Sequence, residues 1–205
     1  DLDLKLRINK DLTILTKDYI EIKVIDSLKK YSSEQLEFFD SNYETTNIIE
    51  FVKNADKSII GCSVINTMHK YVDVLINYAG VYEVDFKYSL LPGSIYIDGF
   101  SITDINNTVS TYFIKDDGNS KLQLFRKEIS DSSEILIYQN LGTVDYNTGK
   151  ISLTNFNPNY LDNSLSVKVS VRPKENSVFI ESIHDTIFKI KDITIETAEI
   201  NTSAI

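Results

Sequence analysis

Tyr82-Glu83-Val84-Asp85-Phe86-Lys87-Tyr88 is the stretch that decides the fold. Tyr82, Val84, Phe86 and Tyr88 fall on one side of an extended chain, and Glu83, Asp85 and Lys87 on the other. That period of two marks a strand with one face buried. Leu165–Val171, LSVKVSV, repeats the pattern, with Leu165, Val167, Val169 and Val171 set against Ser166, Lys168 and Ser170. Strands of a parallel sheet, covered on both faces, read as continuous apolar runs; alternation therefore points to antiparallel pairing. The punctuation between runs agrees. Leu90–Ser94 (LLPGS), Lys115–Lys121 (KDDGNSK) and Asp145–Lys150 (DYNTGK) each combine Gly with Pro, Asp or Asn, the residues that tight turns use. Pro173 lacks a donor and is placed to end the strand that reaches Val171.

Working outward, residues 59–65 (IIGCSVI) also read as strand-like, and two strands are expected near Leu4–Ile8 and Tyr19–Ile25. In the latter, Ile20, Ile22 and Val24 alternate with Glu21 and Lys23. Only residues 32–56 read as helical. Ser33 is placed to cap a short helix running to Phe39; after a break at Asp40–Tyr43, Thr45 or Thr46 caps a second. There Ile48, Ile49, Val52 and Ala55 form one apolar stripe at helical period. Helices this short are marginal alone and need a sheet to lie on. The expected architecture is α+β: a small helix-on-sheet domain over residues 1–75, then a mainly antiparallel β domain over 76–205.

Composition narrows the function classes. The chain has 205 residues, 28 of them Ile and only 4 Ala, a balance that favours strands, although AT-rich codons would give the same bias. Its net charge is −9, and Arg7, Arg126 and Arg172 are its only arginines. Nucleic-acid grooves need concentrated positive charge, so no nucleic-acid partner is expected. No run approaches 18 consecutive apolar residues, so no membrane partner is expected either. A lone Cys62 excludes a disulfide framework and fits a reducing compartment. The opening DLDLKLRINK, with no initiator Met and no apolar signal region, reads as a cut edge.

The residues that could carry chemistry do not assemble into a motif. His69 and His184 stand far apart, and no HxH, HExxH or HxxxH spacing joins them. Ser182, His184 and Asp185 are neighbours in sequence, which does not make a triad, and no GxSxG is present. Cys62 lies in a strand-like run and reads as an inert buried thiol. Asp116-Asp117-Gly118-Asn119 begins like a calcium loop but lacks its alternation and distal Glu, leaving a solvated hairpin turn. Paired catalytic carboxylates on a β scaffold would leave no motif, but there is no Trp for sugar stacking. The Gly residues are scattered, so no phosphate loop exists. Sequons at Asn106 and Asn201 are what this composition produces by chance. No catalytic, cofactor-binding or metal-binding residue is assigned, and no cofactor is expected.

Several longer segments carry a resemblance. Phe113–Phe125 (FIKDDGNSKLQLF), Leu141–Pro158 (LGTVDYNTGKISLTNFNP) and Val171–Ile195 resemble the C-terminal region of the large wedge protein of contractile-phage baseplates. This is the T-even-like inner-ring subunit, related to the baseplate J-like family. Tyr31–Val64 and Val84–Phe100 match the same family in order, so the resemblance spans roughly residues 20–195. GTVDYNTGKI (Gly142–Ile151) is its most specific piece. The SIIGCS spacing at Ser58–Ser63 departs from the family pattern, and the family's large N-terminal part has no counterpart.

The resemblance implies a structural role without an active site. Such subunits associate with copies of themselves and with other baseplate wedge and hub-proximal proteins. Together they form a ring around the tail hub that rearranges on contraction, located in the virion's tail baseplate after assembly in the bacterial host cytoplasm. Two other classes stand beside it. A β-rich glycan- or receptor-binding module would present a flat face of exposed Tyr. A hydrolase would need two carboxylates brought together by the fold.

Overall fold

The computed structural model of the chain describes residues 1–36, 42–103, 109–128, 133–162, 165–175, 179–181 and 190–198. Phe39, Asp40, Asn106, His184 and Asn201 lie outside them. In β1 (Leu2–Asn9), Leu2, Leu4, Leu6 and Ile8 are buried while Lys5 and Arg7 alternate into solvent. The strand expected at Tyr19–Ile25 is instead part of a helix, α1 (Lys17–Tyr31). Ile20 and Val24, four apart, satisfy both periods; Leu28 and Tyr31 continue only the helical one, and Ile22 is left exposed. Thr16 caps the helix by accepting a hydrogen bond from the Tyr19 N–H. Ser33 caps nothing: α1 runs on through a π-helical turn at Ser32–Leu36, where the Ser33 hydroxyl donates back to the Lys30 carbonyl.

After β2 (Asn42–Glu44) comes α2 (Thr45–Ala55), with Ile48 and Val52 buried as the stripe requires. Its cap is Glu44, which makes no side-chain cap bond. Thr45 stands one residue inside and accepts a hydrogen bond from Asn66 Nδ2 at 2.9 Å, while the Tyr43 hydroxyl donates to Asn66 Oδ1. Burial pushes the Tyr43 phenol up to about 12. Asp56 follows the helix and joins three elements. Its carboxylate accepts from Lys23 Nζ at 2.7 Å, the Ser58 N–H at 3.0 Å and the Ser58 hydroxyl at 2.8 Å. Ser58 leads into β3 (Ile59–Asn66), which pairs antiparallel with β1.

From Thr67 to Glu175 the chain forms a second compact unit. Its strands are β4 (Met68–Asp73), β5 (Gly80–Asp85), β6 (Tyr96–Thr103), β7 (Val109–Asp116), β8 (Lys121–Lys127), β9 (Glu134–Asp145), β10 (Lys150–Phe156), β11 (Tyr160–Leu161) and β12 (Ser166–Val171). They hydrogen-bond in the order β4-β12-β6-β7-β8-β9-β10-β5, with β11 added beside β6, all antiparallel. The outer strands approach each other, with Lys70 Nζ donating to the Asp85 carbonyl at 2.6 Å, so the sheet is nearly a closed barrel. Its interior is built from alternate residues such as Ile97, Phe100, Ile114, Phe156, Val167 and Val169. Phe100 and Phe156 meet edge to face at 4.9 Å. Burying each such side chain contributes about 2 kcal/mol before entropy is counted. Bulges at Gly99 and Asn155, both with positive φ, bend β6 and β10 around this core.

Two of the three expected turns close hairpins, β7–β8 and β9–β10. Leu90–Ser94 does not, because β5 and β6 are not partners. This loop crosses the barrel end, bridging Leu90 to Pro173 and donating from the Leu91 N–H to the Arg172 carbonyl. Buried Asp116 holds it there, accepting from the Gly93 N–H, the Ile95 N–H at 2.8 Å and the Tyr146 hydroxyl at 2.6 Å. Three loops distant in sequence thus converge on one carboxylate. Gly149 completes the closure: its φ is +82°, and a Cβ there would overlap the Tyr88 carbonyl.

The chain then returns to the first unit, which comprises Asp1–Asn66 and Asn176–Ile205. β13 (Phe179–Glu181) pairs with β2, and β14 (Ile190–Ala198) lies parallel to β1. That parallel pair departs from the antiparallel expectation. The small sheet, ordered β14-β1-β3, shares one core with α1 and α2, so the protein is mainly β with two helices.

Two predictions follow from the polar anchors. Asp116→Asn removes the charged acceptor and should cost about 2 kcal/mol by denaturant unfolding, and Tyr146→Phe about 1 kcal/mol. Unchanged midpoints for both would contradict the clasp. The Asp56 carboxyl is held down at about 2 by its bond to Lys23, with the Ser58 donors adding to it. A lowered carboxylate stabilises the fold above its unfolded-state value and loses that contribution as pH falls through its folded value. Asp56→Asn should therefore cost roughly 1–2 kcal/mol at pH 7, with the gap to wild type closing between about pH 4 and pH 2.

Candidate interaction surface

The residues singled out for chemistry are dispersed by the fold. His69 lies in β4 opposite Ser170 of β12, its Nδ1 2.9 Å from the Ser170 hydroxyl oxygen. Asp98 sits one strand further on, in β6, where burial above all raises its carboxyl. This Ser–His contact is one pair of the β4–β12 ladder, between two extended strands. Nucleophilic serines sit on sharp turns that lift the hydroxyl toward a substrate. Cys62 is half-buried in β3, and burial pushes its thiol up to about 11, so it stays protonated at neutral pH. Asp117 does form the expected solvated turn, accepting from the Asn119 and Lys121 N–H groups, with Gly118 at φ +75°. Asp116, next to it, is the buried clasp. Among the described residues, no three His, Cys, Asp or Glu side chains are grouped to hold a metal ion.

The clasped end of the barrel has an open cavity of about 370 Å³, lined by residues including Leu90, Pro92, Tyr146, Asn147 and Lys174. The groups around it are committed to structure. The Tyr146 phenol is raised by burial and by its bond to Asp116, and the Asp145 carboxylate is lowered because it accepts from Thr148 and Asn147. Neither is tuned toward neutral pH, where a general acid or base works best.

On the outer face, Tyr96, Phe113 and Phe125 stack in a row, with centroids 5.5 and 5.6 Å apart. Lys115 lies over Phe113 and Phe125 and is held by Glu134 at 2.6 Å. The row is therefore covered by an ion pair, and only Tyr96 shows substantial exposure.

The opposite end of the barrel has a different character. β4, β6, β8 and β10 finish there, and β5, β7, β9 and β12 begin there. Hydrogen bonds draw its loops together: Val74 N–H to the Leu165 carbonyl, Asn77 N–H to the Pro158 carbonyl, and Asn159 Nδ2 to Asn77 Oδ1. With the backbone so engaged, Leu75, Ile76, Tyr78, Val81, Tyr160 and Leu165 all remain more than half exposed. Together they leave on the order of 700 Å² in water, comparable to one side of a standard protein–protein interface. Asp73, Lys127 and Glu134, where β4 and β8 end and β9 begins, put charges at the same end. β9 starts at this end with Glu134, followed by Ile135, Leu136, Ile137 and Tyr138, all exposed. Four exposed apolar residues in succession, on both faces of one strand, could have been found in the sequence, because ILIY breaks the alternation seen elsewhere.

Residues 2–71, about a third of the chain's length, match the family described as baseplate structural protein gp6, C-terminal domain III. No curated protein matches the chain. The family match supports a phage baseplate protein with a structural role, located in the virion's tail baseplate and in contact with other baseplate components.

A surface kept for contact and not for folding can be changed without loss of stability. The double variant Leu75→Ser, Leu165→Ser should unfold within about 0.5 kcal/mol of wild type. Its binding of a hydrophobic dye such as ANS should fall at least twofold. A loss of several kcal/mol would assign these side chains to the fold instead.

Proposed function

We infer that the chain is a structural subunit of a phage tail baseplate wedge. It associates with copies of itself and with neighbouring wedge proteins, forming the ring around the tail hub that rearranges on contraction. The observation that carries this reading is the family match over residues 2–71. The resemblance of the later segments to the large wedge protein supports it, as do the exposed apolar side chains gathered at one end of the barrel. Wedge subunits work through such faces, since their task is to hold neighbours in place.

Mass spectrometry of purified tail particles, from cells carrying the gene for this chain, tests the reading. Its peptides should be present at a fixed ratio to those of the tail tube, and antibody labelling should mark the baseplate end. Intact, contractile particles without the chain would overturn the assignment.

A further inference from the structure

The barrel interrupts the first unit, which is built from Asp1–Asn66 and Asn176–Ile205 with Thr67–Glu175 between them. The two segments of that unit complete each other. β14 supplies a neighbour to β1 along Leu2–Asn9, and β13 supplies one to β2. Ile190, Ile193 and Ile195 of β14 pack against the core formed by residues such as Leu4, Leu6, Ile20 and Ile48.

The barrel, by contrast, is continuous in sequence and complete in itself. Each of its ladders joins barrel strands, and its core draws on residues between Met68 and Val171. Its entrance and exit meet within its own sheet. β4 begins at Met68 and β12 ends at Val171, and these two residues face each other in the β4–β12 ladder. Facing residues of an antiparallel pair lie about 4.5–5.5 Å apart at Cα. Beyond Val171 the exit is fastened again by barrel residues: Leu90 bridges Pro173, and the Lys174 N–H donates to the Ser89 carbonyl at 2.8 Å. The barrel therefore closes its own chain ends. Domains whose termini lie side by side tolerate insertion into another fold, because the host chain crosses them over a short span and avoids the entropy of closing a long loop.

We propose that Thr67–Glu175 is an inserted module that folds and unfolds on its own, carrying the exposed apolar end with it. The unit that holds most of the family match over residues 2–71 unfolds in a transition of its own. Each unit has a polar anchor by which it can be weakened separately. In the barrel, Asp116 gathers the Gly93 and Ile95 N–H groups and the Tyr146 hydroxyl. In the first unit, Asp56 ties Lys23 of α1 to Ser58 at the start of β3. Neither carboxylate has a partner outside its own unit among these bonds, so the loss of either is felt within one cooperative body.

Hydrogen–deuterium exchange read by mass spectrometry along a urea series, on the 205-residue chain, follows both units in one sample. Peptides from residues 67–175 should share one unfolding midpoint and those from residues 1–66 another. Asp116→Asn should raise the unfolding constant of the barrel about 30-fold, and the milder Tyr146→Phe about 5-fold, with the peptides of residues 1–66 unchanged within about twofold. Asp56→Asn should raise the unfolding constant of the first unit about 10-fold at pH 7 and leave the barrel peptides in place. If the two wild-type midpoints coincide, these variants pull them apart. One transition shared by all peptides, and moved as a whole by variants in either unit, would overturn the proposal. Barrel peptides that follow Asp56→Asn would overturn it as well.

Discussion

One end of the barrel is gathered around a single buried carboxylate. Asp116, the last residue of β7, collects donors from Gly93 and Ile95 ahead of β6 and from Tyr146 in the β9–β10 hairpin. Backbone hydrogen bonds join these loops in pairs, Val144 N–H to the Ser120 carbonyl and Leu90 N–H to the Tyr146 carbonyl, and the carboxylate ties all three together. A carboxylate offers several acceptor sites, so one side chain can satisfy donors from three directions while staying charged. The arrangement divides the barrel. One end has its polar groups turned inward and satisfied; the other has a hydrogen-bonded backbone and apolar side chains turned out.

That division bears on function because it separates what folding needs from what it leaves over. Titratable groups near the cavity are engaged in turns and in the clasp, and their shifts move away from neutral pH. Leu75, Val81, Tyr160 and Leu165 add nothing to the barrel interior, yet they stand together on one end. Exposed apolar area of this extent is a hazard for a free monomer and an asset to a protein whose neighbours cover it. Coupled with the family match at residues 2–71, it supports a baseplate component that works by contact.

The strands were legible wherever one face was buried and the other wet, as in Ser166–Val171, because alternation records that difference directly; in the Tyr82–Tyr88 run the strand stops at Asp85, and Lys87, at φ +60°, turns the chain out of it. The same signal misled at Tyr19–Ile25, where Ile20 and Val24 fit both periods and only Leu28 and Tyr31 reveal the helix. Asp116 read as part of a solvated turn because its role depends on Gly93, Ile95 and Tyr146, which are remote in sequence. The parallel pairing of β14 with β1 was hidden for the same reason, since no local pattern encodes a partner nearly 190 residues away. The apolar barrel end was partly visible in ILIY at Ile135–Tyr138. Its other residues come together only through the loops that the fold brings side by side.

Hydrogen–deuterium exchange of the chain within purified tail baseplates, compared with the isolated chain, tests the account at its centre. The account predicts slowed exchange at Leu75–Val81 and Ile135–Asn140 in the assembled particle, with the clasped loops around Asp116 unchanged. Equal exchange at the apolar end in both states would contradict it, because that surface would then remain in water where the protein does its work.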